Sequence, residues 1–241
     1  MFFDDGTEEY CNILIGADGI HSKVWEQLFN SSLIRDSGQR CWRGICRFPK
    51  NSVFDNKAIE LWAKGRRFGF SKIDNEKCYW FAVINKAILN QEKNINNIFK
   101  DFHPDIKNII LNTLEDNVIF NEIIDLQPIK KWTENNSCLI GDAAHATTPN
   151  FGQGACQAVE DAYVLMRLLE KEKNYKLAFK KYESLRMKKA HFLVDTSWKI
   201  GKIAQNEHRL FISLRNAALP LIPSFIKNKQ LEKVFVIAYD F

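Results

Sequence analysis

The chain has 241 residues, 46% hydrophobic and 26% charged, an ordinary globular composition that excludes disorder as the starting expectation. Its formal net charge of +5 comes from 34 basic residues interleaved with 29 acidic ones, so there is no basic stripe and nucleic acid is not an expected partner. No run of about 18 apolar residues occurs, and the start from Met1 to Gly6 lacks the basic and apolar regions of a secretory signal, so a soluble protein without a membrane span is expected.

Six cysteines, at positions 11, 41, 46, 78, 138 and 156, form no CxxC pair and no metal-ligand spacing. Their mostly apolar flanks suit buried free thiols in a reducing, cytoplasmic setting, with no metal.

Met1 to Phe3 and Tyr10 to Ile15 are β-prone runs around Asp4-Asp5-Gly6-Thr7, which predicts a hairpin. After Gly16-Ala17-Asp18-Gly19, the stretch His21 to Phe29 predicts a short helix. Strands are predicted over Cys41 to Phe48, Ala58 to Trp62, Arg66 to Phe70 and Cys78 to Ile84, as an antiparallel sheet. Ile95 to Phe102 and Pro104 to Leu114 read as helices, and Val118 to Ile124 as a further strand. Ser137 to Ile140 is a short buried strand running into Gly141-Asp142, followed by a helix from Gly154 to about Leu169 and a long one from about Tyr175 to Ala204. A last apolar stretch, Phe225 to Ile237, follows Pro220 and Pro223. Docking of the tail to a membrane through Leu219 to Ile237, with Lys227, Lys229 and Lys233, is the lesser expectation beside packing against the body.

The most informative stretch is Cys138-Leu139-Ile140-Gly141-Asp142-Ala143-Ala144-His145-Ala146-Thr147-Thr148-Pro149-Asn150-Phe151-Gly152-Gln153-Gly154-Ala155. A carboxylate at the carboxyl end of a strand accepts hydrogen bonds from a polyol in the crevice where open α/β sheets bind ligands, and Asp142 holds that position. Gly152 and Gly154 remove side chains where a planar ligand comes close to backbone, and the next helix turns its free N–H groups toward the same place. Taken singly, Asp142 also fits a turn cap, the glycines any tight loop, and His145 a hydrogen-bonded structural role, which is the role favoured for it.

Together, Gly-Asp, Ala-Ala-His, Pro and Gly-Gln-Gly resemble the second FAD fingerprint of the para-hydroxybenzoate hydroxylase-like flavin monooxygenases. The resemblance implies that Asp142 binds the ribityl chain and that Pro149, Gly152, Gln153 and Gly154 line the isoalloxazine ring. The helix start would then favour the negative charge of reduced flavin. Ile15-Gly16-Ala17-Asp18-Gly19-Ile20-His21-Ser22-Lys23-Val24 resembles the family's Asp-Gly fingerprint, which implies a role for Asp18 and Gly19 near the FAD pyrophosphate and NAD(P)H. The same residues also fit a strand-to-helix turn in which Asp18 and Ser22 satisfy local backbone groups. Members usually carry Arg where this chain has Trp25.

Trp42-Arg43-Gly44 and the Gly65-Arg66-Arg67-Phe68 to Tyr79-Trp80-Phe81 hairpin resemble the substrate domain of the urate hydroxylase and zeaxanthin epoxidase branch. By that resemblance Arg67 and Tyr79 are candidate substrate contacts; otherwise Arg67 is a solvated strand residue and Tyr79 core. The implied fold is mixed α/β: a partial Rossmann-type FAD-binding domain, an antiparallel-sheet substrate domain and C-terminal helices. Its expected parts are residues 1–35 and 131–172 for FAD, 36–130 for the substrate sheet and 173–241 for the helices.

No Gly-x-Gly-x-x-Gly turn for the ADP pyrophosphate occurs among the 11 glycines, and a full-length member would carry on the order of a hundred further N-terminal residues. An isolated chain would then expose strand edges and lose charge-assisted hydrogen bonds worth roughly 1.5–3 kcal/mol each. Two expectations result. One is an FAD- and NAD(P)H-dependent monooxygenase that uses O2, through a flavin C4a-hydroperoxide, to hydroxylate or epoxidise an aromatic, heteroaromatic or polyene substrate. The other is a non-catalytic fragment, or half of a split flavoprotein that needs a separate N-terminal FAD-binding chain.

Overall fold

The computed structural model describes residues 1–29, 34–49, 52–55, 57–221, 223, 232, 234–235 and 239. The chain divides into two compact units, one of residues 1–35, 124–200 and 222–241, the other of 36–123 and 201–221. Both mix helix with sheet. No described helix is long and apolar enough to cross a membrane. Most of the apolar tail segment expected to pack or dock lies outside the described residues.

In the first unit, strand β1 (Leu14–Gly16) lies parallel to β8 (Ser137–Leu139), which pairs antiparallel with β7 (Thr133–Glu134). Helix α1 (Lys23–Phe29) follows β1. Helix α5 (Asp142–His145) follows β8 and leads to α6 (Gly154–Lys171) and α7 (Tyr175–Ala204). Val164, Leu165 and Leu168 of α6, and Ala178, Phe179, Tyr182 and Ala190 of α7, recur at helical spacing and pack with Trp132, Cys138 and Leu139 as one core. Trp25 is 9% exposed in that core, with its ring centroid 4.5 Å from that of Phe29.

The second unit is a five-stranded sheet in the order β3 (Ile59–Ala63), β4 (Arg66–Lys72), β5 (Lys77–Asn85), β2 (Ile34–Arg47), β6 (Val118–Leu126). Side chains alternate across it. Phe68, Phe70, Trp80, Ala82 and Ile84 face one way, onto Ile98 of α3 (Ile95–Ile98) and Ile106, Ile109 and Ile110 of α4 (Pro104–Leu111). Short α2 (Lys86–Leu89) follows β5, and α8 (Arg209–Ala218) completes the unit. Gly44 lacks a side chain because a Cβ there would lie 2.8 Å from the indole nitrogen of Trp80, itself 1% exposed and bonded to Thr113 Oγ1 at 2.9 Å.

Three sequence expectations change. The N-terminal hairpin reduces to one bridge, Phe2 with Glu8, so the Tyr10 to Ile15 run contributes only its last residues to a strand. Strand β2 begins at Ile34, well before Cys41. Its polar first half is held by tertiary contacts that no alternation reveals: Ser37 Oγ donates to the Ile123 carbonyl at 2.6 Å, and Arg35 grips Asp125 through two bonds of 2.9 and 2.8 Å. Of the six cysteines, Cys11 and Cys156 are exposed rather than buried.

Candidate functional site

Strands β1 and β8 end side by side. Gly16 pairs with Leu139, and the Ile140 N–H extends the ladder to the Gly16 carbonyl at 2.9 Å. Both fingerprints, Ala17-Asp18-Gly19 and Gly141-Asp142, therefore leave the carboxyl ends of neighbouring parallel strands, where such sheets bind ligands. Gly16 permits this proximity, since a Cβ there would lie 2.7 Å from a Leu139 methyl.

The two carboxylates then differ. Asp18 accepts from Ser22 Oγ at 2.5 Å and from the Lys23 and Val24 N–H groups at 2.7 and 3.3 Å, and Ser22 Oγ accepts the Trp25 N–H at 2.9 Å. Together they cap α1. Burial pushes the Asp18 carboxyl up, but the bonds from Ser22, Val24 and Lys23 outweigh it and hold the group below its ordinary value. Gly19 sits at φ +80° with open space where a side chain would be.

Asp142 is exposed, and its carboxylate has no hydrogen-bond partner among the described residues. Before it, Gly141 adopts φ 59°, ψ −140°, a conformation essentially reserved for glycine. The Gly141 N–H donates to Asp161 Oδ2 at 2.9 Å, and a Cβ there would stand 3.1 Å from that of Ala158 on α6. The strand end is thus pinned to α6 about two turns beyond its start.

Between α5 and α6 the chain folds into a fixed loop. Thr148 Oγ1 and Ser197 Oγ of α7 are 2.8 Å apart, and Asn150 Nδ2 donates to Thr148 Oγ1 at 2.9 Å and to the Ser197 carbonyl at 3.0 Å. Pro149, exposed, opens a 3-10 turn over Pro149–Phe151 that closes at Gly152, φ 66°, with nothing near its missing side chain. Gln153 precedes α6 and gives no side-chain cap, so its side chain takes up none of the first N–H groups of that helix. At Gly154 a Cβ would meet Thr147 at 3.3 Å.

Beneath this surface lies a buried ionic network. His145 Nε2 is 2.6 Å from Asp161 Oδ2, and Arg186 Nε donates to Asp161 Oδ1 at 2.7 Å. Arg186 also bonds Glu160, Tyr239 and Gln157, and Lys189 reaches Glu160 at 2.8 Å. Burial alone would raise the Asp161 carboxyl; His145 and Arg186 hold it below its ordinary value. His145 is therefore a hydrogen-bonded member of the core. The network as a whole escaped sequence reasoning.

In the second unit Arg67 and Tyr79 share a sheet face but do not meet. Arg67 registers with Val83 and Trp62, and Tyr79 with Ser71 and Ile45, four residues or about 13 Å along the strand. Arg67 is 3% exposed and paired with Glu60 at 3.0 Å, so it is neither solvated nor open to a ligand. Burial pulls its guanidinium below the ordinary value, and Glu60 opposes this. Tyr79 is 38% exposed and, with Arg43, Ile45 and Cys46, lines a cavity of about 910 Å³ whose other walls include Leu114 and Ile119. Burial raises the Tyr79 hydroxyl, with Arg43 opposing.

A family model described as "FAD binding domain" matches residues 4–197. Aurachin C monooxygenase/isomerase of Stigmatella aurantiaca is 35% identical over 91% of this chain and 58% of its own length. 2-Heptyl-3-hydroxy-4(1H)-quinolone synthase of Pseudomonas aeruginosa is 30% identical over 96% of this chain and 62% of its own. Among solved structures, HpxO of Klebsiella pneumoniae, complexed with FAD and uric acid, has the same fold, with a TM-score of 0.86 at 23% identity over 97% of this chain and 62% of that one. The chain spans about three fifths of the length of these proteins. With the two fingerprints emerging from paired parallel strands and a family model covering most of its length, this chain belongs to the FAD binding domain family.

Proposed function

We propose that this chain forms the ribityl- and ring-binding part of an FAD- and NAD(P)H-dependent monooxygenase that uses O2 on an aromatic, heteroaromatic or polyene substrate. The observation that carries the proposal is the unengaged Asp142 carboxylate at the end of β8, beside the open Gly152 turn and the uncapped start of α6. These residues fit the flavin half of FAD. Asp142 accepts hydrogen bonds from the ribityl hydroxyls, Pro149, Gly152, Gln153 and Gly154 let the ring lie against backbone, and the positive end of α6 favours charge on the ring. Bound FAD supplies the electron transfer and oxygen activation. Asp18, committed to its cap, acts with Gly19 by fixing the loop near the pyrophosphate.

Tyr79 is the stronger substrate contact, with Arg43 beside it, and Arg67 is a positioning residue acting through Glu60. The substrate class follows the names of the relatives, which include a quinolone synthase and zeaxanthin epoxidases. A second reading, half of a split flavoprotein completed by another chain, is favoured by β1, an edge strand whose outer side has no neighbour among the described residues and where Ile15 is 39% exposed. Purifying the chain and recording flavin absorbance and NAD(P)H oxidation separates the two. Stoichiometric FAD with NAD(P)H oxidase activity supports the enzyme, and activity that appears only on adding a Gly-x-Gly-x-x-Gly-bearing partner supports the split protein. Absence of flavin binding in both cases defeats the proposal.

A further inference from the structure

Cys46 on β2 and Cys78 on β5 stand directly opposite one another in antiparallel register, with their sulfurs 3.5 Å apart. Directly opposed residues of such strands have Cα atoms about 4.5–5.5 Å apart, within the span a disulfide bridges, so bonding at about 2.05 Å requires side-chain rotation rather than backbone movement. Among the described residues no other two sulfurs come within hydrogen-bond range. Access is unequal but small: Cys46, 6% exposed, is on the wall of the 910 Å³ cavity that the exposed Asp74 and Lys77 also line, whereas Cys78 is 0% exposed.

We propose that Cys46 and Cys78 form an oxidative modification site that takes a hydroperoxide and closes to an intrachain disulfide between β2 and β5. The Cys46 thiolate attacks one peroxide oxygen, becoming a sulfenic acid as the O–O bond breaks and the other oxygen leaves protonated as water or an alcohol. The Cys78 sulfur then attacks the Cys46 sulfur, and the sulfenic oxygen departs with the Cys78 proton as water. Two thiols are oxidised by two electrons and one peroxide is reduced. The assignment of attacker and resolver agrees with the bond between the sulfurs, in which either can donate: it holds the Cys46 thiol below its ordinary value, against burial, and pushes Cys78 upward. Cys41 has no second sulfur within hydrogen-bond range among the described residues, and its thiol is pushed up to about 11 by burial, so it does not compete.

The test uses the whole chain without flavin, so it stands apart from the fate of the flavin assignment. Folded protein carrying Cys11→Ser and Cys156→Ser is treated with hydrogen peroxide, and its intact mass and linked peptides are measured. The expected result is loss of two hydrogens, a Cys46–Cys78 linkage reversed by dithiothreitol, and formation about tenfold faster than in guanidinium-unfolded chain. Cys78→Ser should leave a Cys46 sulfenic acid that dimedone traps. If that variant does not fold, mapping of the chain with both cysteines decides alone. Free, alkylatable Cys46 and Cys78 after peroxide, or a linkage that forms equally fast in unfolded chain, would overturn the site.

Discussion

Asp18 and Asp142 leave adjacent parallel strands, yet one carboxylate is saturated by a helix cap and the other is unengaged. A ligand can recruit only the second without breaking protein hydrogen bonds, each worth about 1 kcal/mol net. Arg67 poses the opposite case, because its charge is already paired inside the sheet. Arg67→Ala should lower stability by about 2–3 kcal/mol, since it removes a buried ion-pair partner, and a denaturant melt should show this with flavin binding unchanged. The strand end before Asp142 and the turn at Gly152 were legible in sequence because turn chemistry is local. The separation of Arg67 from Tyr79 was not, since register across a hairpin is set by pairing that neither residue reveals alone.

At the scale of elements, glycine marks close approach in both units. Gly44→Ala would drive a methyl into the Trp80 indole, which is fixed by stacking on Phe68 at 5.4 Å and by its bond to Thr113. A loss of about 1–3 kcal/mol is expected in thermal unfolding, with the Trp80 fluorescence environment altered. Helix α7 was readable over its full span because its apolar residues recur at helical spacing. The first half of β2 was not, because Asp36-Ser37-Gly38-Gln39 has the composition of a loop and becomes strand only through Ile123, Asp125 and Glu122.

Across the molecule, the buried charges of the first unit make stability depend on pH. His191 lies beside Trp132, and burial lowers its pKa, with the Ile129 carbonyl opposing. Its folded value lies below its unfolded one, so the unfolded chain takes up the proton first. Stability should therefore fall as pH drops below about 6.5 and level off once pH passes below the folded value. Asp161 also has a depressed folded value, and its contribution, present above about 3.9, should be lost as pH falls through that lower value. Melting temperature against pH should show both stages, and His191→Gln should remove the upper one; an unchanged upper stage would assign it elsewhere.

Riboflavin, which carries the ring and ribityl chain without ADP, probes the half of the cofactor proposed to bind this chain. Its fluorescence is to be titrated with the unaltered chain and with Asp142→Ala, both checked for equal melting temperature. Saturable quenching that weakens about tenfold or more in the variant is the predicted result, the loss corresponding to one charge-assisted hydrogen bond or more. Equal quenching by the two proteins, or none by either, would contradict the assignment of Asp142 and the Gly152 to Gly154 turn as the flavin cradle.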